Sequence, residues 1–225
     1  MRLIVGITGA TGAPLGVALL RTLREINDGA MAAGESPPVE THLVLTHWAR
    51  TTISLETNCS VKDVAALADY SYSPTDQAAP LASGSFQNHG MVIIPCSMKS
   101  LAGIRSGYAE GLLGRAADVV LKERRPLVLV PRETPLSDIH LENMLALSRM
   151  GARIVPPIPA FYNHPQTVDD IIDHTVARVL DQFGLSAPRA RRWAGLAHHG
   201  KPGIASVDID PAPQVPAFPR GKVPR

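Results

Sequence analysis

Five short apolar runs recur along the chain: "RLIVGIT" from Arg2, "THLVLT" from Thr41, "GMVIIPCS" from Gly90, "PLVLVPRE" from Pro126 and "ARIVPPIP" from Ala152. Each is followed by a glycine-rich or polar turn and then by apolar residues at helical spacing. Strands that are apolar at successive positions, without in-out alternation, have to be covered on both faces, and strands separated by helices pair in parallel. The pattern therefore predicts α/β class, a single doubly wound, Rossmann- or flavodoxin-like three-layer sandwich with five parallel strands. The helical stripes Leu113, Ala116, Ala117, Val120, Leu121 and Ile172, Val176, Val179, Leu180, Phe183 are expected to cover it.

The 225 residues, 45% hydrophobic and 19% charged, suffice for one sizeable core. A formal charge of +2, with basic residues scattered apart from "LKERRP" and "RARRW", argues against a nucleic-acid partner. Cys59 and Cys96 cannot form a disulfide framework and lack zinc-ligand spacing, which points to a reducing compartment, the cytoplasm. No apolar run reaches membrane-spanning length and no leader precedes the first strand, so neither export nor insertion is expected. The eight histidines contain no H-x-H or HExxH arrangement, so no metal is assigned. Cys96 reads as a small buried hydrophobe. Residues 27–40, "NDGAMAAGESPPVE", read as a surface loop, and 196–225 as a proline-rich extended tail after a domain spanning 1–195.

The first turn, "GITGATGAP", has glycines at 6, 9 and 12. That spacing is not the G-x-G-x-x-G of dinucleotide folds, and Ala13 and Pro14 stand where a Walker loop needs Lys and Ser or Thr. What remains is a strand-to-helix turn able to hold one phosphate, or a turn built only for tight packing. The other strand ends favour the phosphate: Thr46, then Ser97, Lys99 and Ser100, then Arg132 and Glu133 all fall where an open parallel sheet binds ligands. An anion with a large polar body, such as flavin mononucleotide, suits that edge.

Together "GITGATGAPLG", "SLET", "ASGSF", "IPCSMKSLAGI", "GRAADVVLKERRPLVLVPRETPLSDIHLENM" and "PAFYNHPQTVDDII" resemble the flavin prenyltransferase family, UbiX-like, over roughly residues 1–195. The stretch from Gly90 to Gly184 is most similar to the subgroup associated with hydroxyarylic acid decarboxylases. The resemblance implies a metal-independent enzyme that joins the dimethylallyl group of dimethylallyl phosphate to N5 and C6 of reduced FMN. It implies further that prenylated FMN passes to a UbiD-type aromatic acid decarboxylase, and that the chain forms a homo-oligomer, a dodecamer, with sites at subunit junctions. Direct flavin-dependent decarboxylation and a non-catalytic FMN-binding accessory role are the competing readings.

By the same resemblance, Gly9, Ala10, Thr11, Thr46, Ser97, Met98, Lys99, Ser100 and Arg115 contact FMN. Lys122, Arg132, Tyr162 and Arg178 hold the prenyl phosphate, whose departure without a metal needs fixed cations and donors. Arg115 and Lys122, seven apart on one helix, share a face. Glu133 is expected to take the proton lost on ring closure, with Glu56 relaying from a neighbouring subunit. Trp193 lends an aromatic face to the allylic cation. The chain departs from the family pattern in having Thr11 and Thr46 for serine, "THWA" for "SKAA", a longer 27–40 segment and the tail.

Overall fold

The computed structural model describes residues 1–189 and 191–193. Met1–Arg191 form one compact unit, while Arg192 and Trp193 belong to a second whose remaining residues, and with them the expected tail, lie outside the described ones.

In chain order the first unit contains strand β1 (Arg2–Ile7), helix α1 (Ala13–Ala32), β2 (Glu40–Leu45), α2 (His47–Glu56), α3 (Val61–Ala65) and β3 (Tyr70–Tyr72). There follow β4 (Met91–Cys96), α4 (Met98–Ser106), α5 (Gly111–Lys122), β5 (Leu127–Pro131), α6 (Asp138–Arg149), β6 (Arg153–Ile154) and α7 (Val168–Leu180). All six strands pair in parallel, in the order β3-β2-β1-β4-β5-β6.

Successive residues of each central strand feed opposite cores, as the unbroken apolar runs require. Leu3, Val5 and Ile7 pack with Leu19, Leu20, Leu23, Val176 and Val179 on one side of the sheet. Ile4 joins Met91, Ile93, Leu113, Ala116, Ala117 and Val120 on the other. The three-layer sandwich is thus the predicted one, with α1 and α7 over one face and α5 over the other. Among the described residues no helix is long and apolar enough to cross a membrane.

Two local expectations change. A sixth strand, β3, adds the exposed segment Tyr70–Tyr72 to the outer edge; three residues of "YSY" pattern are too short for periodicity to reveal. The segment 27–40 is not a loop throughout, because α1 continues to Ala32. Asn27, which reads locally as a breaker, is buried: its side-chain amide donates to the Val39 carbonyl at 2.7 Å and its oxygen accepts from the Val39 amide at 3.0 Å. Tertiary pairing with the entry to β2 thus overrides the local turn signal, and only the following residues cross as a loop.

Candidate active site

The chain runs outward from β1 through β2 to β3, then returns to the other side of β1 for β4, β5 and β6. The strand order therefore reverses between β1 and β4, the position where an open α/β sheet leaves a crevice beyond its strand ends. Thr8 stitches the two ends together: its buried hydroxyl donates to the Pro95 carbonyl at 2.8 Å and accepts from the Ser97 amide at 2.8 Å.

Three of the helices that begin at this edge, α2, α4 and α5, line the crevice with their first turns. Thr46 caps α2 by accepting from the Ala49 amide at 3.2 Å, and Ser97 caps α4 by accepting from the Ser100 amide at 3.2 Å. Gly111 opens α5 on the opposite wall. Each helix start carries about half a positive charge, so the crevice favours an anion. The resulting cleft has a volume of about 440 Å³ and is lined by Gly9, Thr46, Ser97, Lys99 and Ser100. Apolar and aromatic walls come from Trp48, Pro74, Tyr108 and Leu113. A Cβ placed on Gly9 would lie 2.3 Å from the Trp48 Cβ, so only glycine allows the loop and the first turn of α2 to approach this closely.

Most of the predicted flavin contacts thus meet in one place. Ala10 and Thr11 continue the Gly9 loop, Met98 follows the Ser97 cap, and Arg132 donates from Nε to the Thr11 carbonyl at 3.4 Å. Glu133, exposed beside Arg132, accepts from its neighbouring Thr134 amide at 3.1 Å. Trp48, Tyr108 and Pro74 were not anticipated from the sequence. The "THWA" variation marked Trp48 as unusual, whereas nothing local distinguishes Tyr108 or Pro74.

Other predicted residues stand elsewhere in this chain. Arg115 donates from Nε to the Ala82 carbonyl at 3.1 Å and from Nη1 to Asp118 at 2.6 Å, on the flank of α5 rather than in the cleft. Lys122 ends the same helix, eleven residues beyond the cleft-lining Gly111, which is roughly 16 Å along the axis. It pairs there with Glu123, whose carboxyl is held below the usual range by that hydrogen bond and charge. Both α5 cations do share a face, over the 82–84 segment. Arg178 pairs with Asp181 at 2.7 Å and lines a separate hollow with Ser148, Arg153 and Gln182. Tyr162 meets His174 edge-on, ring centroids 5.8 Å apart. The expected prenyl-phosphate group Lys122, Arg132, Tyr162 and Arg178 is therefore not assembled within one chain. Trp193 is half-exposed and belongs to the second unit.

Glu56, expected to serve a neighbouring subunit, is engaged by its own chain: its Oε2 accepts from the Gly12 and Ala13 amides at 2.8 and 2.9 Å.

The sequence matches the Flavoprotein family model over residues 1–180. It is 55% identical over 196 residues to the flavin prenyltransferase UbiX of Escherichia coli strain K12, covering 86% of this chain and 98% of that protein. Among solved structures, a dodecameric FMN-dependent UbiX-like decarboxylase from Escherichia coli O157:H7 is 71% identical with a TM-score of 0.81, covering 87% of this chain and 100% of the other. A UbiX protein solved with FMN and dimethylallyl pyrophosphate is 52% identical with a TM-score of 0.80, covering 86% of this chain and 97% of the other. With identities this high over nearly the whole length of these relatives, the chain belongs to the UbiX-like flavin prenyltransferase family.

Proposed function

We propose that this chain joins the dimethylallyl group of dimethylallyl phosphate to N5 and C6 of reduced FMN and releases prenylated FMN to a UbiD-type aromatic acid decarboxylase. The observation that carries this reading is the cleft at the β1–β4 reversal, where helix starts suited to a phosphate share one cavity with apolar and aromatic walls suited to a flat ring. The residues fit FMN: Gly9, Ala10, Thr11, Thr46, Ser97, Met98, Lys99 and Ser100 would hold it, with Arg132 steadying the loop through Thr11. When bound, reduced FMN supplies the nucleophilic edge to which the prenyl carbons attach.

The chain's own groups supply the rest. Lys122, Arg132, Arg178 and Tyr162 are assigned to the departing phosphate, whose charge must be met by fixed cations and donors. Because Lys122 and Arg178 stand away from the cleft of their own chain, each would serve a site completed by a neighbouring copy, and the dodecameric state of the 71% identical relative supports this. Arg115 would reach FMN by exchanging its Asp118 partner. Glu133 accepts the proton released on ring closure. Trp193 is assigned to the aromatic lining that shields the allylic cation from water. The reaction is placed in the cytoplasm, consistent with the unbridged Cys59 and Cys96.

Direct decarboxylation is the second reading, favoured by the description of that same relative as a decarboxylase. Incubating the protein with reduced FMN and dimethylallyl phosphate, with the diphosphate in parallel, decides between them. The released flavin is expected to gain the mass of one prenyl unit. Unchanged flavin mass together with carbon dioxide release from an aromatic acid would establish the second reading instead.

A further inference from the structure

We infer that Arg125 is a positioning residue for prenyl transfer: it fastens the 82–86 segment to the end of α5 and thereby sets the place of the Lys122 ammonium. The inference rests on the assignment of Lys122 to the departing phosphate. A basic run after a helix is ordinarily a solvated surface, but Arg125 is half-buried. The turn before it explains how. Arg124 is left-handed at φ 56°, its amide donating to the Leu121 carbonyl at 3.0 Å and that of Arg125 to the Val120 carbonyl at 3.0 Å. These paired bonds close a helix at a position that usually takes glycine, and here they turn the chain back so that Arg125 meets the 82–86 segment.

The Arg125 guanidinium donates from Nη1 to the Phe86 carbonyl at 2.7 Å and from Nη2 to the Gly84 carbonyl at 3.2 Å. Arg115 adds its Nε donation to the Ala82 carbonyl at 3.1 Å. Three alternate carbonyls of the segment are thus turned towards α5 and taken by two arginines. A rigid planar fork suits two carbonyls held apart in this way, whereas a lysine ammonium has no such fixed spread. The segment is held from its far end as well: the Phe86 ring meets His42 edge-on, centroids 5.1 Å apart, and lies 5.4 Å from the Arg2 guanidinium. Between these anchors its backbone presses on Lys122. A Cβ added at Gly84 would lie 2.7 Å from Lys122 Nζ and would also meet the Glu123 carboxylate, so the segment confines that ion pair. Where Arg125 holds the segment therefore decides where the ammonium can stand.

The experiment compares Arg125→Ala, Arg125→Lys and Gly84→Ala with the parent in the assembled full-length protein. Prenylation is followed with dimethylallyl phosphate varied at saturating reduced FMN, and FMN alone is the binding probe. Arg125→Ala is expected to raise KM for dimethylallyl phosphate about tenfold. Its FMN affinity should stay within about twofold of the parent, because Arg125 lies beyond the end of α5 opposite the cleft-lining Gly111. Arg125→Lys keeps the stem and the charge but loses the fork, and should raise KM at least about threefold. Gly84→Ala displaces the segment from its other side and should show the same split, which ties the effect to the segment and not to the charge of Arg125. A parent-like KM in Arg125→Ala would overturn the inference, as would FMN affinity falling in step with the rise in KM, the mark of a merely structural role. Should Arg125→Ala fail to assemble, parent-like KM values in the other two variants would overturn it equally. Failure of the underlying reading is visible separately, in a parent that yields no prenylated flavin or in a Lys122→Ala variant that turns over normally.

Discussion

Gly9 stands where the flavin loop meets α2, and its neighbour there is the Trp48 Cβ, 2.3 Å from any Cβ added at position 9. Gly9→Ala should therefore push the first turn of α2 outward and weaken FMN binding by at least about tenfold, and adding Trp48→Gly should recover part of the loss. Fluorescence titration with FMN measures both; equal affinity in Gly9→Ala and the parent would show that the contact is unimportant. Cys96, fully buried at the end of β4, has its thiol pushed up to about 12 by burial. Its folded state thus favours the neutral form, while the unfolded chain ionises near the ordinary value of 9.0. The stabilising contribution is complete below pH 9 and is lost as pH rises towards 12, at about 1.4 kcal/mol per pH unit. Denaturant unfolding at pH values from about 8 to about 11 should show this decline in the parent and a flatter one in Cys96→Ala; parallel curves would contradict it.

At the scale of elements, the cleft is made by where helices start. Ser97 both caps α4 and donates its amide to the Thr8 hydroxyl, so one residue fixes the helix to the β1–β4 junction. Ser97→Ala should cost about 1 kcal/mol through the lost cap, equivalent to a fall in Tm of about 2–4 °C. It should also weaken FMN binding, because the α4 amide end loses its alignment as well as a hydroxyl. A variant with lower Tm but full FMN affinity would separate the cap from the site. The extension of α1 to Ala32 follows the same rule that elements answer to their neighbours: Asn27 is a poor helix residue locally and a good one beside Val39.

For the whole molecule, the decisive fact is the distance between groups assigned to one reaction. Glu133 follows β5 at the strand-end edge of the sheet that carries the cleft, whereas Lys122 ends α5, eleven residues beyond the cleft-lining Gly111 of the same chain. If neighbouring copies complete each other's sites, Glu133→Gln and Lys122→Ala remove groups supplied by different chains. Each variant alone should be nearly inactive while binding FMN. Co-expression, which lets the two assemble into mixed oligomers, should restore a measurable share of turnover, because some sites then receive both intact groups. A mixed assembly, confirmed by light scattering, that stays as inactive as its components would place both groups in one chain's site.

The alternation of five of the six strands with helices, the two-sided cores and the polar strand ends were legible in the sequence, because they arise from local periodicity and from residues close to one another along the chain. The unbroken "LIV" and "LVLV" runs read as covered strands because they are short, β-branched and bounded by turn residues. Gly9, Thr46, Ser97 and Ser100 could be assigned to one site because each follows a strand, and parallel strands deliver their ends to the same edge. Tertiary structure alone decided the rest. Tyr108 and Pro74 reach the cleft only through the packing of distant segments, the Leu112 amide donating to the Pro74 carbonyl at 2.8 Å. The engagement of Glu56 with amides forty-four and forty-three residues earlier, and the separation of Lys122 from the cleft, depend on how helices are laid against the sheet, which no spacing along a single chain encodes.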